Sequence, residues 1–358
     1  LLVILYCIRY LEDTSYAYTF YPFLLLALAL INGALVSDNL TTMLFFWEAL
    51  LIPLFGMIAT AHKDAYKTAV KAFVIIGITD LCLMFGMALI EHMEKTLTIS
   101  QICVPLGGIG SIAFVFMMIG AVSKAGAVPF HSWISDAAGE TPLAFTAFLP
   151  GSLSRLLGIY FLARMTSEMF RFSPCSRVAW LIVALGIASL GIGLFFAPAQ
   201  KKPKKLLGFI SIALCGVLLV SIGSGLSGNP LHTAVLIAGS TILFTLVFLV
   251  VGVQEQRCAT FTTALSMRVR NITPFKALYE RSDQGQFDPY ELAMIVFNFF
   301  AKTAFALDRF TNWIYDGFIP FCAVMLSTII RVFHTGNYAA YIIWSLAGTV
   351  TVIAFMIK

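Results

Sequence analysis

The sequence has few charged residues, which excludes a soluble globular domain. Asp, Glu, Lys and Arg make up 11% of the 358 residues, whereas hydrophobic residues make up 59%. Soluble domains contain about 25% charged residues, and the mean hydropathy of +0.91 is far above what such domains show. The composition therefore predicts a polytopic membrane protein.

Motifs for metals and cofactors are also missing. The seven cysteines are scattered, with no Cys-x-x-Cys pair and no Cys/His pair at zinc-ligand spacing. No motif for a nucleotide, a flavin, a haem or an iron–sulfur cluster is present. We therefore expect no cofactor and no metal site in this chain.

The formal net charge of +5 is not taken as a sign of nucleic-acid binding. In membrane proteins, basic residues gather in the cytoplasmic loops and fix the orientation. One set of alternate loops carries most of them, so we predict that this set is cytoplasmic. The loop with Arg164, Arg171 and Arg177 falls on the opposite side and disagrees with the rule. The predicted cytoplasmic loops contain Arg9; His62, Lys63 and Lys67; residues 131–140; Lys201, Lys202, Lys204 and Lys205; and Arg257, Arg268, Arg270, Lys276 and Arg281.

About ten apolar segments are long enough to cross a bilayer, which takes about 20 residues. The first is partial, because the chain opens inside an apolar run; we expect the chain to be a fragment, and no signal peptide is visible. The segments are Leu1–Tyr10, Thr19–Val36, Leu40–Ala61, Lys67–Ile90, Gly107–Val128, Pro142–Met165, Val178–Ala199, Lys205–Gly225, Leu231–Val253 and Tyr338–Ile357.

The chain becomes polar after residue 253 and then apolar but charged over Phe287–Val332. That second stretch is too long for one span and too charged for two, so we predict an amphipathic helix lying along the membrane surface. One poor span followed by a short helix is the alternative. The predicted organisation is an all-α transmembrane bundle over 1–253, a polar cytoplasmic connector over 254–286, a lateral helix over 287–335 and a C-terminal transmembrane anchor over 336–358. The charged residues of the stretch are Glu291, Lys302, Asp308, Arg309 and Asp316.

Lys124 is the first candidate functional residue. It ends an apolar segment that breaks at Pro129, and an ionisable side chain inside a bilayer is costly and usually faces a bundle interior or a water path. His131 and Asp136 follow directly beyond the break. Interrupted helices free backbone carbonyls and are typical of ion sites in transporters. The break, together with Pro142 and Pro150, therefore favours translocation over a purely structural role.

Glu48 lies in the middle of a predicted span, with no charged neighbour on its own helix. A buried carboxylate has to be neutral or paired with a cation, and Lys124 is the predicted partner. Such a couple would hold or release a proton as it closes and opens. A static salt bridge that only fixes helix contacts is the alternative, and the two residues alone do not decide between them.

Three further ionisable residues lie in or near predicted spans. Asp80 is either a third member of the charge set or a polar residue with a local partner. Lys71, near the cytoplasmic end of the same helix, is interpreted as a lysine that snorkels to the interface. Arg155, on the helix after Pro150, is either a relay or a structural counter-ion.

Three stretches resemble the antiporter-like membrane subunits of respiratory complex I, of energy-converting membrane-bound hydrogenases and of multisubunit cation/proton antiporters. The sequence FWE at Phe46–Glu48 looks like that family's glutamate helix, and KAFVIIGITD, ending at Asp80, looks like its following helix. SKAGAVPFHSWISDA, from Ser123 to Ala137, looks like its broken helix with the pumping lysine. The resemblance covers roughly Phe20–Gly252, and the end of the chain looks like the tail of the distal complex I member, in which a lateral helix precedes the last span.

The resemblance implies that Glu48 and Lys124 form the charge couple and that His131 and Asp136 line the cytoplasmic access. Arg155 would stand near the family's basic residue on the next helix. The second half of the family's fold has histidines and a lysine where this chain offers only threonines, and no second broken helix is visible. The second half-channel is therefore either degenerate or built from helices absent from this sequence. The predicted ion-translocation residues, none of them catalytic, are Glu48, Lys124, Asp80, His131, Asp136 and Arg155.

The leading hypothesis is a proton-translocating subunit of a redox-driven multisubunit complex, of the complex I or energy-converting hydrogenase type, with Na⁺ as the alternative ion. Redox chemistry would reside in a peripheral arm reached through other subunits. The expected partners are sibling antiporter-like membrane subunits and the lipid bilayer, with no nucleic acid. A non-conducting structural subunit and a subunit of a multisubunit cation/proton antiporter are the alternatives. The cytoplasmic membrane of a bacterium or archaeon is favoured over an organelle inner membrane.

Overall fold

A computed structural model of the chain describes residues 2–11, 15–148, 153–173, 176–225, 230–271, 273–283, 288–333 and 336–357. Nearly all of this structure is helical, and the few residues in strands form one two-residue parallel pair, β1 (Val104–Pro105) with β2 (Phe170–Arg171). The helices are α1 (Leu2–Tyr10), α2 (Ser15–Val36), α3 (Leu40–Ala49), α4 (Leu51–Ala59), α5 (Ala65–Glu94), α6 (Ile109–Ala125), α7 (Ser132–Glu140), α8 (Leu143–Phe148), α9 (Ser154–Arg164), α10 (Arg177–Phe196), α11 (Pro203–Gly223), α12 (Pro230–Val253), α13 (Glu255–Arg270), α14 (Thr273–Asp283), α15 (Pro289–Asn312), α16 (Ile319–Phe333) and α17 (Tyr338–Met356).

Eight helical stretches within the described residues are long and apolar enough to cross a membrane. Seven coincide with predicted spans, and the eighth is Pro289–Val332. The all-α polytopic fold is therefore confirmed. The predicted span Pro142–Met165 appears as the two shorter helices α8 and α9, and Pro150 between them lies outside the described residues. The long stretches are Tyr16–Val36, Leu40–Ala59, Ala65–Glu94, Arg177–Ala199, Pro203–Gly223, Ala234–Val253, Pro289–Val332 and Tyr338–Met356.

Two of the spans are interrupted, and each break has a cause in the sequence. Between α3 and α4, Pro53 has no amide hydrogen for the Ala49 carbonyl and its ring crowds that carbonyl. Between α6 and α7, Gly126 takes the left-handed conformation with φ 75°. Its N–H bonds to Ser123 O, and the next N–H, of Ala127, bonds to Val122 O, which together terminate α6 as a Schellman motif.

Close approach of helices in the bundle depends on small residues, as is usual where no water separates helix faces. The α10–α11 pair is the clearest case. A Cβ atom added at Gly216 would lie 2.5 Å from the Gly186 carbonyl oxygen, and one at Gly193 would lie 2.6 Å from the Ala213 nitrogen. These two helices therefore touch backbone to backbone.

The polar stretch after α12 forms helices rather than an open loop. In α13, Arg270 Nε donates to Ala199 O at 2.8 Å, and Thr262 Oγ1 donates to Lys201 O at 3.0 Å. In α14, the Tyr279 hydroxyl donates to Phe195 O at 3.1 Å. Both helices are thus bound to the end of α10 and to the turn that follows it.

Residues 293–358 form a compact unit of their own, and residues 1–292 form the other. Within the described residues, the helix from Pro289 to Val332 is continuous over 44 residues. At about 1.5 Å per residue it is about 66 Å long, roughly twice what a bilayer core requires. A π-helical turn at Trp313–Phe318 precedes Pro320 and accommodates the missing proline N–H. The structure therefore has one long helix here, and not a span followed by a short helix. That this helix lies along the membrane surface stays a prediction.

Candidate functional site

Lys124 is fully buried on the last turn of α6, next to the break. Its side chain is 1% exposed, and its Nζ donates to the Trp47 carbonyl oxygen at 2.9 Å. Nζ also lies 3.4 Å from Asp80 Oδ2 and 5.0 Å from the centre of the Trp47 ring. The ammonium therefore has a carboxylate, a carbonyl and an aromatic face around it.

Trp47 holds both members of this ion pair. Its indole Nε1 donates to Asp80 Oδ1 at 2.8 Å, so that Asp80, also 1% exposed, has a partner on each oxygen. The Trp47 carbonyl is available to Lys124 because it belongs to the last turn of α3, where carbonyls lack partners within the helix. The break at Pro53 thus explains how a transmembrane backbone comes to accept a hydrogen bond from a lysine.

The partner of Lys124 differs from the predicted one. The structure pairs Lys124 with Asp80, and among the described residues no ion pair joins Lys124 to Glu48. Glu48 follows Trp47 in the chain and is half-buried. The Trp47 ring and carbonyl occupy the space beside the ammonium, which leaves the Glu48 carboxylate adjacent to the pair but outside direct contact. Glu48 still interacts with Lys124 electrostatically, and the functional coupling of Glu48 and Lys124 stays a prediction.

Beyond the α6–α7 break lies a cavity of about 770 Å³ at the N-terminal ends of α5 and α11. His131 and Asp136, predicted to line the access, both line it. The rest of the lining is amphipathic, with aromatic rings and charged groups of both signs. The lining residues are Tyr66, Lys67, Thr68, Val70, Lys71, His131, Ser132, Ser135, Asp136, Ile192, Phe196, Gln200, Lys205, Phe209, Ser282, Asp288, Tyr290 and Glu291.

Lys71 is part of this cavity wall and does not snorkel. The residue is 8% exposed, and its Nζ lies 2.6 Å from Asp136 Oδ2 and forms a second, shorter contact with Asp288 Oδ2. Its position near the cytoplasmic end of the predicted span had suggested a lysine that snorkels to the interface. The acidic partners that retain it come from elements far away in the sequence, Asp288 being 217 residues distant.

Arg155 lies away from the Lys124 pair. Its side chain is 1% exposed and faces α11 and α12, with Nη1 3.5 Å from Ser211 Oγ and the guanidinium 5.1 Å from the Phe244 ring centre. Within the described part of the chain, its Nε and Nη2 have no hydrogen-bond partner. The neighbouring Ser154 is what touches the site, since its hydroxyl donates to the Lys124 carbonyl at 2.7 Å.

The helix that would correspond to the second half-channel offers threonines with local partners. Thr241 Oγ1 donates to Ile237 O and Thr245 Oγ1 to Thr241 O, each at 2.7 Å. Such bonds to the carbonyl four residues back satisfy the hydroxyl within its own helix. Among the described residues, no group of three or more His, Cys, Asp or Glu side chains is arranged to hold a metal ion.

Trp47 and Lys71 were missed as site residues. Trp47 stood inside the FWE motif that was singled out for its glutamate, and a buried indole N–H needs an acceptor, which was the available signal. Lys71 carried no such signal, because its partners lie on distant segments. The predicted residues Lys124, Asp80, His131 and Asp136 fall into two adjacent groups, the buried pair and the cavity.

A polytopic bundle that buries a lysine–aspartate pair beside a helix break is a membrane protein with an intramembrane charge site, and such sites mark ion or substrate paths. Residues 37–279 match the model of the NADH:quinone oxidoreductase/Mrp antiporter transmembrane family, which is more than half of the chain, and the chain belongs to that family. The resemblance drawn from the sequence motifs is confirmed.

The curated relatives include sodium/proton antiporter subunits. The chain is 30% identical over 233 residues to a Na⁺/H⁺ antiporter subunit from Alkalihalophilus pseudofirmus, and 29% identical over 231 residues to one from Staphylococcus haemolyticus. Each match covers 63% of this chain and 28% of the relative. The chain thus spans little more than a quarter of the length of these relatives.

Solved structures share the fold. An Mrp complex from Dietzia sp. DQ12-45-1b matches with a TM-score of 0.59 and 23% identity, over 64% of this chain and 26% of that one. A membrane-bound sulfane sulfur reductase, described as an archaeal respiratory membrane complex, matches with 0.58 and 20% identity, over 64% and 48%. Respiratory complex I from Thermus thermophilus matches with 0.56 and 22% identity, over 66% and 51%.

Proposed function

We propose that this chain is an ion-translocating membrane subunit that moves protons through the Lys124 site. The observation that carries the proposal is the fully buried Lys124–Asp80 pair, in which Lys124 stands on the last turn of α6 and also bonds to the Trp47 carbonyl on the last turn of α3. Such a lysine lies where two helices end inside the bundle, and interrupted helices are typical of ion sites in transporters. Family membership over residues 37–279 supports the same function.

In the proposed mechanism, the Lys124–Asp80 pair opens and closes. When closed, Asp80 and the Trp47 carbonyl stabilise the charged ammonium; when Asp80 withdraws, a buried ammonium without a carboxylate releases its proton more readily. Trp47 bonds to both Asp80 and Lys124, and so keeps the two side chains in place while the pair opens and closes. Glu48, adjacent to the pair, serves as the next acceptor, and Arg155 provides fixed positive charge between α11 and α12.

Protons reach the pair from the cavity. His131 and Asp136 line it and lie on the segment that begins where the Lys124 helix ends. The cavity is at the end of the bundle that carries Lys67 and Lys205, in loops predicted to be cytoplasmic. The route from the cavity to Lys124 therefore runs along the α6–α7 break.

The assembly we favour is a redox-driven complex in the cytoplasmic membrane of a bacterium or archaeon, with sibling membrane subunits and a peripheral arm in which the redox chemistry takes place. A subunit of a multisubunit cation/proton antiporter is the second candidate, favoured by the names of the curated relatives. Purification through a tag on this chain separates them. Co-purifying redox proteins support the first candidate, whereas a sodium gradient that drives proton movement without them supports the second.

The transport test uses the complex purified with this chain, in liposomes with an internal pH dye. A potassium diffusion potential set with valinomycin drives proton movement, so that no redox partner is assumed. Lys124→Gln and Asp80→Asn should each lower the initial rate by at least about tenfold, which corresponds to about 1.4 kcal/mol of barrier. Lys63→Gln, an exposed lysine in the α4–α5 turn, is the matched control. Unchanged transport in an assembled Lys124→Gln complex would show that the chain has a structural role only.

A further inference from the structure

Lys71 has two carboxylate partners, which is more than a single buried ammonium needs for neutrality. Its Nζ lies 2.6 Å from Asp136 Oδ2 and also contacts Asp288 Oδ2, and the ring centre of Tyr290 is 5.6 Å away. Its side chain is 10% exposed. A lysine with one partner would be held in a fixed pair, whereas a lysine with two can lose either one and remain paired.

The two carboxylates are held very differently. Asp288 caps α15: its Oδ1 accepts the Tyr290 N–H at 3.0 Å, and its carbonyl accepts the Leu292 N–H at 3.2 Å. Its side chain is 15% exposed. A carboxylate that caps a helix keeps its place because the helix start depends on it. Asp288 is therefore the stationary partner of Lys71.

Asp136 is the movable partner. Its side chain is 34% exposed in the cavity, and its second oxygen lies 3.8 Å from Lys205 Nζ, a contact too long for a firm hydrogen bond. The Lys205 side chain is 36% exposed. The two lysines and the two aspartates carry no net charge together, so that one proton added to Asp136 changes the cluster by one unit.

We infer that Lys71 and Asp288 are positioning residues for Asp136 in the ion path, an inference that rests on the proposed function. Asp288 offers Lys71 a second acceptor, so that Asp136 can leave Lys71 and take a proton from the cavity without leaving a buried ammonium unpaired. In that step Asp136 gains the proton, Lys71 keeps its own, and Asp288 stays ionised. Without Asp288, Lys71 would hold Asp136 and slow each cycle.

The test begins with Asp288→Asn in the transport assay on the purified complex. Asparagine caps a helix as well as aspartate does, so the substitution removes the charge and keeps the start of α15. The initial rate should fall about tenfold, and Asp288→Glu should keep most of it. Glu280→Gln is the matched control: it removes one negative charge from an exposed position on α14 that does not line the cavity. Its rate should equal that of the parent.

A second variant separates positioning from a structural role. If Asp288 acts by releasing Asp136 from Lys71, then removing the Lys71 charge as well makes Asp288 unnecessary. The double variant Lys71→Gln/Asp288→Asn should therefore transport faster than Asp288→Asn alone, within about threefold of the parent, as a coupling between contacting residues requires. A double variant as slow as or slower than the single one overturns the inference, as does loss of the assembled complex in Asp288→Asn.

Lys124→Gln, measured beside these variants, distinguishes the inference from the proposed function. Transport lost in Lys124→Gln but unchanged in Asp288→Asn overturns the role of Asp288 and leaves the proposed function intact. Transport unchanged in Lys124→Gln overturns the proposed function, and the inference falls with it.

Discussion

The two ends of α5 use charged residues in opposite ways. At its C-terminal end, hydrogen bonds of charged side chains join neighbouring loops. Asp38 accepts the Ser100 N–H at 3.1 Å and the Ser100 hydroxyl at 2.6 Å, while Arg164 donates to the Ser37 carbonyl at 2.8 Å. Backbone bonds add to this: Leu40 N–H reaches Leu97 O at 2.8 Å. The charges of Asp38 and Arg164 thus join one loop to another.

At the N-terminal end of α5, the charges surround an open volume. Lys71, Asp136, Asp288 and Lys205 line the cavity of about 770 Å³. One carboxylate has two lysine neighbours and one lysine has two carboxylates. These side chains can exchange partners because the cavity gives them room and the alternatives are already in place.

At the C-terminal end of α5, charged side chains bond to backbone groups and fix one loop to another; we call such a charge a clamp. At the N-terminal end, charged side chains face other charges around a cavity and can change partners; we call these exchangeable charges. This difference also explains one of the three arginines that are exceptions to the positive-inside pattern. Arg164 lies at the predicted outer end because it holds Ser37, Asp38 and Glu168 together there. A clamp of this kind has a structural reason to be basic, independent of membrane orientation.

The largest expected effect concerns the buried pair between the two ends. Asp80→Asn alone leaves the Lys124 ammonium without a carboxylate and should lower the stability of the purified complex by about 3–5 kcal/mol. The double variant Asp80→Asn/Lys124→Met should recover most of this loss. Thermal unfolding of the complex in detergent measures these changes in stability. Glu91→Gln, at an exposed position on the same helix as Asp80, is the control. A double variant as unstable as the single one would contradict the charge-pair explanation.

The next effect compares the two glycines that flank α6. Gly126→Ala puts a left-handed alanine at φ 75°, with a Cβ that would overlap Ile134 Cδ1, and should destabilise the complex by about 2–4 kcal/mol. Gly108 has φ 51°, yet nothing lies within 4 Å of its added Cβ. Gly108 has ψ −122°, outside the αL region, so Gly108→Ala should cost backbone strain alone, about 1–3 kcal/mol. Equal losses in thermal unfolding would show that the Ile134 contact is unimportant.

A third comparison sets transport against stability at the two ends. Asp136→Asn should slow proton transport about tenfold with little change in unfolding temperature. Arg164→Gln should leave the transport rate unchanged and lower the stability by about 1–2 kcal/mol, because hydrogen bonds from a charged donor are lost. Both readouts come from the same preparations. Slow transport in Arg164→Gln would show that Arg164 also takes part in transport, and would contradict the difference between the two ends of α5.

The smallest effect is a pH dependence of the clamp. Hydrogen bonds from Ser100, and then Arg164, hold the pKa of Asp38 below its ordinary value near 3.8. A carboxyl group whose pKa is lowered by folding stabilises the folded state. This stabilisation is complete at pH values above the ordinary pKa and is lost as the pH falls through the lowered, folded-state pKa. Ser100→Ala should therefore reduce the acid dependence of thermal unfolding below about pH 4. An identical profile in parent and variant would show that Ser100 does not set the Asp38 pKa.

Much of the fold follows from the sequence because hydropathy and helix breakers act locally. The seven long spans, the buried Lys124 and the break after it all follow from segments of fewer than about 25 residues. The break at Pro53 was not predicted, because proline is tolerated within transmembrane helices and its effect depends on neighbouring helices.

The contacts of the site are less accessible to sequence analysis. Whether Lys124 contacts Glu48 or Asp80 depends on how α3 and α5 are rotated about their axes. Both helices are apolar on most faces, so the sequence pattern does not show which face points to Lys124. The burial of Lys71 depends on Asp288, 217 residues away. The three stretches that carry the family resemblance contain Trp47, Asp80 and Lys124, but the resemblance did not specify which of their atoms are in contact.

The unbroken course of α5 sets the shortest length of any path between the positions of Lys71 and Asp80, its two buried charged residues. Lys71 and Asp80 are nine residues apart, which is about 14 Å along the axis and two and a half turns, so they project from opposite faces. One proton transfer covers roughly 3 Å. Because the two residues project from opposite faces, their separation exceeds the axial rise. Passage from the cavity to the buried pair therefore takes at least about five hops over side chains and water, and the helix segment between them sets this minimum.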